Sequence, residues 1–407
     1  MRCLFVHSNL PAQFRHLCYS LGRDPANEVV FATMNARPEW EIPGVRKAVF
    51  AADGEPARGV HPLARNMEEC MRKAAGALQA AQALRTQGFA PDVVYGHSGW
   101  GPTLFLPEVF PQARQLRYLE WFYDPDGADA GFGGQTLSTE ARAQMRARNL
   151  PILMDLERCH LGICPTRWQA SQFPPELRAK LTILHDGVDT EFFRPDPGSP
   201  LVLPGLDLSG AAEIVTYATR GMEPYRGFPQ FMEAAVEVTR ARPGCHVVVA
   251  GEDRACYGPP PAKGKTWKQA VLEKLKPDPA RIHFTGPLPY GHYRRLLQAS
   301  TVHVYLTRPF VLSWSFLEAL SCGCLTVASD TGPVREVLRH GVNGLLTDLT
   351  RPAAIAARIV EALEGREKYA GLRTKARETV LRHYDLKKLL PRHLALLREP
   401  GKRAKRG

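Results

Sequence analysis

Short apolar runs alternate with helical patterns along this chain, and they do so in two separate series. In the first, Cys3 to Val6 reads as a strand, Gln13 to Gly22 as a helix and Val29 to Ala32 as a second strand. An Ala-rich helical pattern from Asn66 to Gln87, closed by Gly88, leads into a strand from Pro91 to His97. In the second series, strands at Glu213 to Ala218, Cys245 to Gly251, Arg281 to Phe284, Thr301 to Leu306 and Leu325 to Ala328 accompany helices at Pro229 to Arg240 and Tyr290 to Ala299. The segment from Tyr369 to Leu397 is mostly helical in pattern. Strands that alternate with helices build parallel sheets, because each return crosses over a face of the sheet. The expected fold class is therefore α/β, with two Rossmann-like, doubly wound domains facing across a cleft. A Pro- and Gly-rich stretch from Arg194 to Gly210 is the expected linker. It divides the chain into residues 1–194, residues 195–385, and a helix end with a basic tail at 386–407.

Within the second series, Pro309 to Asp330 reads as a loop, a short helix and a buried strand. Ser313 or Ser315 can cap the helix, since a hydroxyl accepts one of its orphan backbone N–H groups. Gly323 suits the exit. A helix N-terminus at the end of an α/β strand attracts anions. The backbone of Leu312, Ser313, Trp314 and Ser315 would supply the donors, and Glu318 sits about one turn inside. Phosphate donors beside a carboxylate suit a ligand with both phosphates and a ribose, such as a nucleotide diphosphate sugar. Ligands of parallel sheets bind at the carboxyl ends of strands. Arg220 stands at such an end, and Arg226 follows in a Gly-containing loop. His97 ends a strand of the first series among Gly96, Gly99 and Gly101, which permit close backbone approach.

Charge narrows the partners. The chain has 53 Lys+Arg against 41 Asp+Glu, a formal net charge of +12, part of it in the tail residues Arg398, Lys402, Arg403, Lys405 and Arg406. No helix-turn-helix, zinc-finger or aromatic RNA-binding signature accompanies this charge, so no nucleic acid partner is expected. A basic tail offers peripheral contact with an anionic membrane. Nine Cys at irregular spacings make no disulfide framework. The N-terminus turns polar too soon for a signal peptide, and no apolar run approaches the ~18 residues of a membrane span. The expected compartment is the cytoplasm, with peripheral membrane contact as an addition. Asp124-Pro125-Asp126, with Gly127 next, reads as a turn and not as a metal motif.

Ordered blocks in the C-terminal half resemble the retaining glycosyltransferases of family 4, which have the GT-B fold. These blocks are Asp186 to Pro195, Tyr217 to Arg220 with Tyr225-Arg226-Gly227, Val247 to Gly251, Phe284-Thr285-Gly286, Leu317 to Gly323, Gly332 to Val337 and Gly341 to Leu346. They span roughly residues 183–350, and their order is kept. One position departs from the family: of its two Glu separated by seven residues, Glu318 is the second, and Phe310 occupies the place of the first. The chain is thus similar to a divergent subgroup.

The resemblance implies a metal-independent hexosyltransferase that moves a sugar from a nucleotide diphosphate sugar to a hydroxyl acceptor, with retention, in surface polysaccharide or glycoconjugate assembly. The acceptor would be a glycan, a lipid-linked glycan or a protein side chain. In this reading Arg220 and Arg226 clamp the diphosphate and stabilise developing charge. Glu318 accepts from the ribose hydroxyls, and His97 meets the sugar. The donor is a substrate, and no cofactor is expected. Two other readings use the same fold: a nucleotide-sugar-binding protein without transferase activity, and a sugar-nucleotide epimerase. The aromatic–acidic cluster Glu120, Trp121, Tyr123 and Asp124, and the loop residues Asn9, Pro11 and Gln13, are further candidates for ligand contact.

Overall fold

The computed structural model describes residues 1–261 and 264–399. The chain forms two compact units, one built from Met1–Asp186 together with the segment from Lys388 onward, the other from Gly187–Lys387.

In the first unit, β1 (Arg2–Val6), β2 (Glu28–Thr33), β3 (Val45–Val49), β4 (Val93–His97), β5 (Arg114–Tyr118), β6 (Leu161–Cys164) and β7 (Leu181–Ile183) make one parallel sheet in the order β3-β2-β1-β4-β5-β6-β7. Both faces of the sheet are buried, as the near-continuous apolar strands require. Cys3 and Phe5 of β1 join Val29, Phe31, Val93 and Tyr95 on one face, while Leu4 and Val6 join Val30, Ala32 and Val94 on the other. The helix Arg65–Thr86 covers the second face through Ala77, Ala81 and Leu84. The last helix, Leu386–Arg398, covers the first through Leu389 and Leu397. Of the basic tail, Lys402, Arg403, Lys405 and Arg406 lie outside the described residues.

The stretch from Arg194 to Gly210 lies inside the second unit. It carries a small antiparallel hairpin, β8 (Val202–Leu203) with β9 (Leu206–Asp207), whose Leu203 and the flanking Leu201 and Leu208 pack on Ile214, Val248 and Leu296. Its Pro and Gly content reflects a tight turn laid over a core. The chain leaves the first unit at Asp186 and returns at Lys388.

The second sheet, also parallel, has the order β12-β11-β10-β13-β14-β15. Its strands are β10 (Glu213–Gly221), β11 (Cys245–Glu252), β12 (Ile282–Gly286), β13 (Val302–Tyr305), β14 (Thr326–Ser329) and β15 (Leu345–Thr347). Gly227 starts the helix Phe228–Ala241 in the left-handed region, at φ 65°. A Cβ there would lie 2.4 Å from Leu349 Cδ1 and 2.8 Å from Leu306 Cβ, so glycine is needed for both conformation and space. All nine cysteines are free thiols, and all but Cys256 are buried. Among the described residues no helix is long and apolar enough to cross a membrane.

Two buried histidines make the fold acid-sensitive. Burial holds His185 at about 3, with the nearby His393 a smaller cause, and burial holds His303 at about 3. His303 Nδ1 lies 2.8 Å from Thr216 Oγ1, and its Nε2 has no partner among the described residues, so protonation would bury an unpaired N–H. Unfolded, both would titrate near 6.5. Their contribution to stability is therefore present above that pH and is lost as the pH falls toward about 3, by roughly 1.4 kcal/mol per pH unit for each group. Urea midpoints should drop between about pH 7 and about pH 5, and His303→Asn should flatten the slope of the second unit. A wild-type midpoint independent of pH over that range would contradict this.

Candidate functional site

In the second unit the strand order reverses between β10 and β13, and the carboxyl ends of those strands are where a doubly wound sheet receives its ligand. Arg220 emerges there, exposed, and makes no ion pair among the described residues. The chain then turns through Met222 to Gly227. Glu223 in this turn is fully buried. Its Oε1 accepts from the backbone N–H groups of Cys256 and Tyr257, both at 3.0 Å, and its Oε2 from Tyr257 at 3.1 Å and Gly258 at 2.8 Å. One carboxylate thus ties the loop after β11 to the loop after β10. It satisfies three backbone donors that would otherwise be stranded.

Arg226 is also buried. Its Nη1 donates to Tyr305 Oη at 3.2 Å, Thr307 Oγ1 at 2.8 Å and the Val311 carbonyl at 3.0 Å. Its guanidinium carbon lies 5.0 Å from the centroid of the Tyr257 ring. Tyr305 Oη in turn accepts from the Ser313 N–H at 2.9 Å. Burial raises the Tyr305 phenol despite the Arg226 charge beside it, so it remains a neutral hydroxyl in this relay. Arg226 therefore holds the loop that precedes the helix Trp314–Ser321.

Ser313 is the N-cap of that helix, its Oγ accepting from the Ser315 N–H at 3.4 Å and lying 2.9 Å from Ser315 Oγ. Leu312 packs inward against the core that contains Phe316. Glu318 is buried one turn along and meets the hydroxyl of Tyr293; burial first, then the Glu318 charge, pushes that phenol well above its usual range and keeps it a donor. Phe310 sits edge-on to Tyr225 and Tyr257, with both ring centroids 5.2 Å away. Arg308 lies over the Tyr225 ring at 5.2 Å. Phe310, Tyr225 and Tyr257 thus form a closed aromatic triad beside this loop.

The first unit reverses its strand order between β1 and β4. His97, at the end of β4, is buried. Its Nδ1 lies 2.8 Å from the Ser98 carbonyl oxygen, which can only accept, so Nδ1 carries a proton. Its Nε2 faces Glu120 Oε2 at 3.6 Å. The ring is flanked by His7 at 5.1 Å, Tyr118 at 5.2 Å and Trp100 at 6.2 Å between centroids. Ser98 Oγ is buried without a partner among the described residues, as is Gln13 Oε1. Of the other candidates, Trp121 packs on Trp168 and Tyr123 exchanges two backbone hydrogen bonds with the Asn149 amide, so both serve the scaffold. Asp124 accepts from the Asp126 N–H at 3.0 Å, which makes the Asp-Pro-Asp segment a turn. Pro11 is buried, and Asn9 is exposed, with its N–H directed to His7 Nδ1 at 2.8 Å.

Sequence reasoning did not single out His7, Glu223 or Tyr257, and it named Tyr225 only within the block Tyr225-Arg226-Gly227. Glu223 and Tyr257 are 34 positions apart and meet only because β10 and β11 are neighbours. A Glu just past a strand end, next to Pro224, was the sole local signal.

The fold has close counterparts among solved structures. Anabaena HepE in complex with UDP-glucose superposes with a TM-score of 0.72 at 16% identity, covering 98% of this chain and 99% of that one. The sucrose-phosphate synthase of Thermosynechococcus elongatus gives 0.74 at 14% identity, with 98% of each chain covered. The two parallel α/β sheets and these likenesses define a GT-B fold. Residues 25–193 match the model of the glycosyl transferase family 4 group, and residues 209–379 match that of glycosyl transferases group 1. The chain belongs to the family 4 glycosyltransferases. It is 26% identical over 204 residues to a D-inositol 3-phosphate glycosyltransferase of Thermobispora bispora, a match that covers 49% of this chain and 45% of that relative. The chain thus spans just under half the length of that curated relative.

Proposed function

We propose that this protein is a nucleotide-sugar-dependent glycosyltransferase that moves a hexose to a hydroxyl acceptor in glycoconjugate or surface polysaccharide assembly. The observation that carries this reading is the constellation at the reversal of the second sheet: exposed Arg220, buried Arg226, the capped helix start at Ser313 and the buried Glu318. Family membership and HepE's complex with UDP-glucose support a nucleotide diphosphate sugar as donor.

In the reaction, Arg220 meets the diphosphate directly, and the N-terminal turn of the helix Trp314–Ser321 adds its dipole. Arg226, whose Nη1 is spent on protein oxygens, acts chiefly by fixing the loop Leu306 to Ser313 in the shape the phosphates require. Fixed positive charge of this kind stabilises a leaving diphosphate without reorganising during the reaction, and is the usual largest contribution to catalysis. In this reading no metal ion takes part, and Arg220 with the helix start carries the positive charge that meets the diphosphate. Glu318 accepts from the ribose hydroxyls. The reaction retains anomeric configuration in this reading, following the family resemblance. In the first unit, His97 and the adjacent Glu120 supply polar contacts to sugar hydroxyls.

Arg220→Ala should lower donor turnover roughly tenfold to 150-fold, the worth of one charge-assisted hydrogen bond at about 1.5–3 kcal/mol. Its melting temperature should stay unchanged, because Arg220 is exposed. Near-normal kcat/KM in this variant would remove Arg220 from the site. A thermal-shift panel of nucleotide sugars would identify the donor, since a ligand bound only by the folded state raises its stability.

A further inference from the structure

A small cavity lies in the first unit where three segments meet: the turn Ala12–Phe14 after β1, the strands β4 and β5, and the last helix, Leu386–Arg398. Phe14, Leu17 and Leu390 give it apolar walls. Gln13, Tyr95, Tyr118, Asp186 and His393 bring polar groups to the same space. Tyr118 and Asp186 are already engaged, the Tyr118 hydroxyl donating to Asp186 Oδ2 at 3.0 Å.

Gln13 and His393 are not. Gln13 Oε1 is buried and accepts from nothing among the described residues. His393 is 4% exposed, and its Nε2 lies 3.0 Å from the His185 carbonyl oxygen. That oxygen can only accept, so Nε2 carries the proton. Burial lowers the affinity of the ring for a second proton. His393 Nδ1 is therefore an acceptor, buried and without a partner among the described residues. Tyr95, on the same wall, is also buried. Burial first, then the Asp186 charge, pushes its phenol well above the usual range, so it stays a neutral hydroxyl able to donate.

Two buried acceptors thus border one space with no protein donor given to either. Buried polar groups left unmade are costly, and folded proteins satisfy them with protein or with ordered water. The size selects the occupant. The space open to the centre of a water molecule is about 10 Å³. That is about what one water needs, and too little for a larger ligand. The polarity selects it as well. A water has two hydrogens, one for each acceptor, and an oxygen that can accept from a phenol. An anion would face two acceptors, and a metal cation would find its one carboxylate, Asp186, already bound by Tyr118.

We propose that this cavity is a binding site for one structural water, which donates to Gln13 Oε1 and His393 Nδ1. The water ties the turn that follows β1 to the last helix, beside the residue where the chain leaves the first unit. That turn continues the loop of Ser8 and Asn9 at the carboxyl end of β1, so the bridge steadies a ligand-facing loop from behind. Gln13 belongs on this assignment to the scaffold and not to ligand contact. The site does not depend on the transferase reading.

A crystal structure of the full chain that resolves ordered solvent should show one water within hydrogen-bond distance of both Gln13 Oε1 and His393 Nδ1. A dry cavity, or a Gln13 amide turned so that its NH2 donates directly to His393 Nδ1, would overturn the proposal. Urea unfolding gives a second readout. Gln13→Met should lower the folding equilibrium constant about tenfold, because the water and His393 then lose a shared partner. Gln13→Met/His393→Phe should cost clearly less than the sum of the two single losses, since both residues act through one water. Strictly additive losses would show that they do not share it. Exchanging sodium chloride for potassium or ammonium chloride at equal ionic strength should leave the wild-type midpoint unchanged. A midpoint raised by one of these cations, and not in Gln13→Met, would assign the cavity to that cation and overturn the water site.

Discussion

Asp155→Ala should cost the first unit about 3–5 kcal/mol, enough to leave it largely unfolded under mild denaturant. Asp155 and Arg117 are both fully buried, with Arg117 Nε 2.6 Å from Asp155 Oδ1. Thr103 Oγ1 donates to the other carboxylate oxygen at 2.7 Å. The remaining guanidinium donors reach the Leu116 carbonyl at 3.0 Å, the Thr103 carbonyl at 3.1 Å and Gln115 Oε1 at 3.2 Å. The pair joins β5 to the helix Leu150–Arg158, and removing one partner strands the other charge in an apolar interior. Urea unfolding followed by circular dichroism measures the loss. The double variant Arg117→Met/Asp155→Leu should recover most of it, because the cost lies in the orphaned charge more than in the pair itself. A single variant within about 1 kcal/mol of wild type would show that solvent reaches this site.

Glu223→Gln is expected to release the loop after β11. The carboxylate is the shared acceptor of three backbone N–H groups, at Cys256, Tyr257 and Gly258. An amide of the same shape offers one oxygen and turns an NH2 group toward donors. The expected loss is about 2–4 kcal/mol, since hydrogen bonds to a charged acceptor are the strong ones and buried donors left unmade are costly. The Tyr257 ring lies against Arg226 and Phe310, so the disturbance reaches the loop before the capped helix. Donor affinity should fall by more than about tenfold, beyond what a remote stability change would cause. Hydrogen exchange reports the event locally: the amides of residues 256–258 should lose protection while those of β14 and β15 keep theirs. Unchanged protection at 256–258 would remove Glu223 from this role.

The readability of the chain varied with how strongly each segment declares itself. Central strands such as β1, β4 and β11 are buried on both faces, so they read as dense apolar runs and are found within a residue or two, while β10 runs three residues past the expected Ala218. The capped helix was legible for the same reason: Ser313 stands just before an apolar run and Gly323 just after it. Edge strands are different. β3, Val-Arg-Lys-Ala-Val, is half-solvated and carries two cations, and β7 is three residues long. Neither has the apolar density that marks a strand. The helix Leu150–Arg158 escaped notice because it is nine residues long and carries Pro151 in its first turn, too short a run for periodicity to declare a helix.

The order of apolar runs, turn residues and family blocks already dictated two parallel α/β sheets, and it placed Arg220, Arg226 and His97 at or just beyond strand ends and Ser313 and Glu318 in the first turns of a short helix. Those are properties of local spacing, which any linear reading can measure. Which of these groups are spent within the protein and which stay available was decided only by folding. Arg226 is absorbed by Tyr305, Thr307 and Val311 across a strand boundary, Glu223 captures amides brought in by β11, and Glu120 meets His97 because β4 and β5 are neighbours. Hydrogen bonds between residues tens of positions apart depend on strand order and register, and those emerge from packing two faces of a sheet at once.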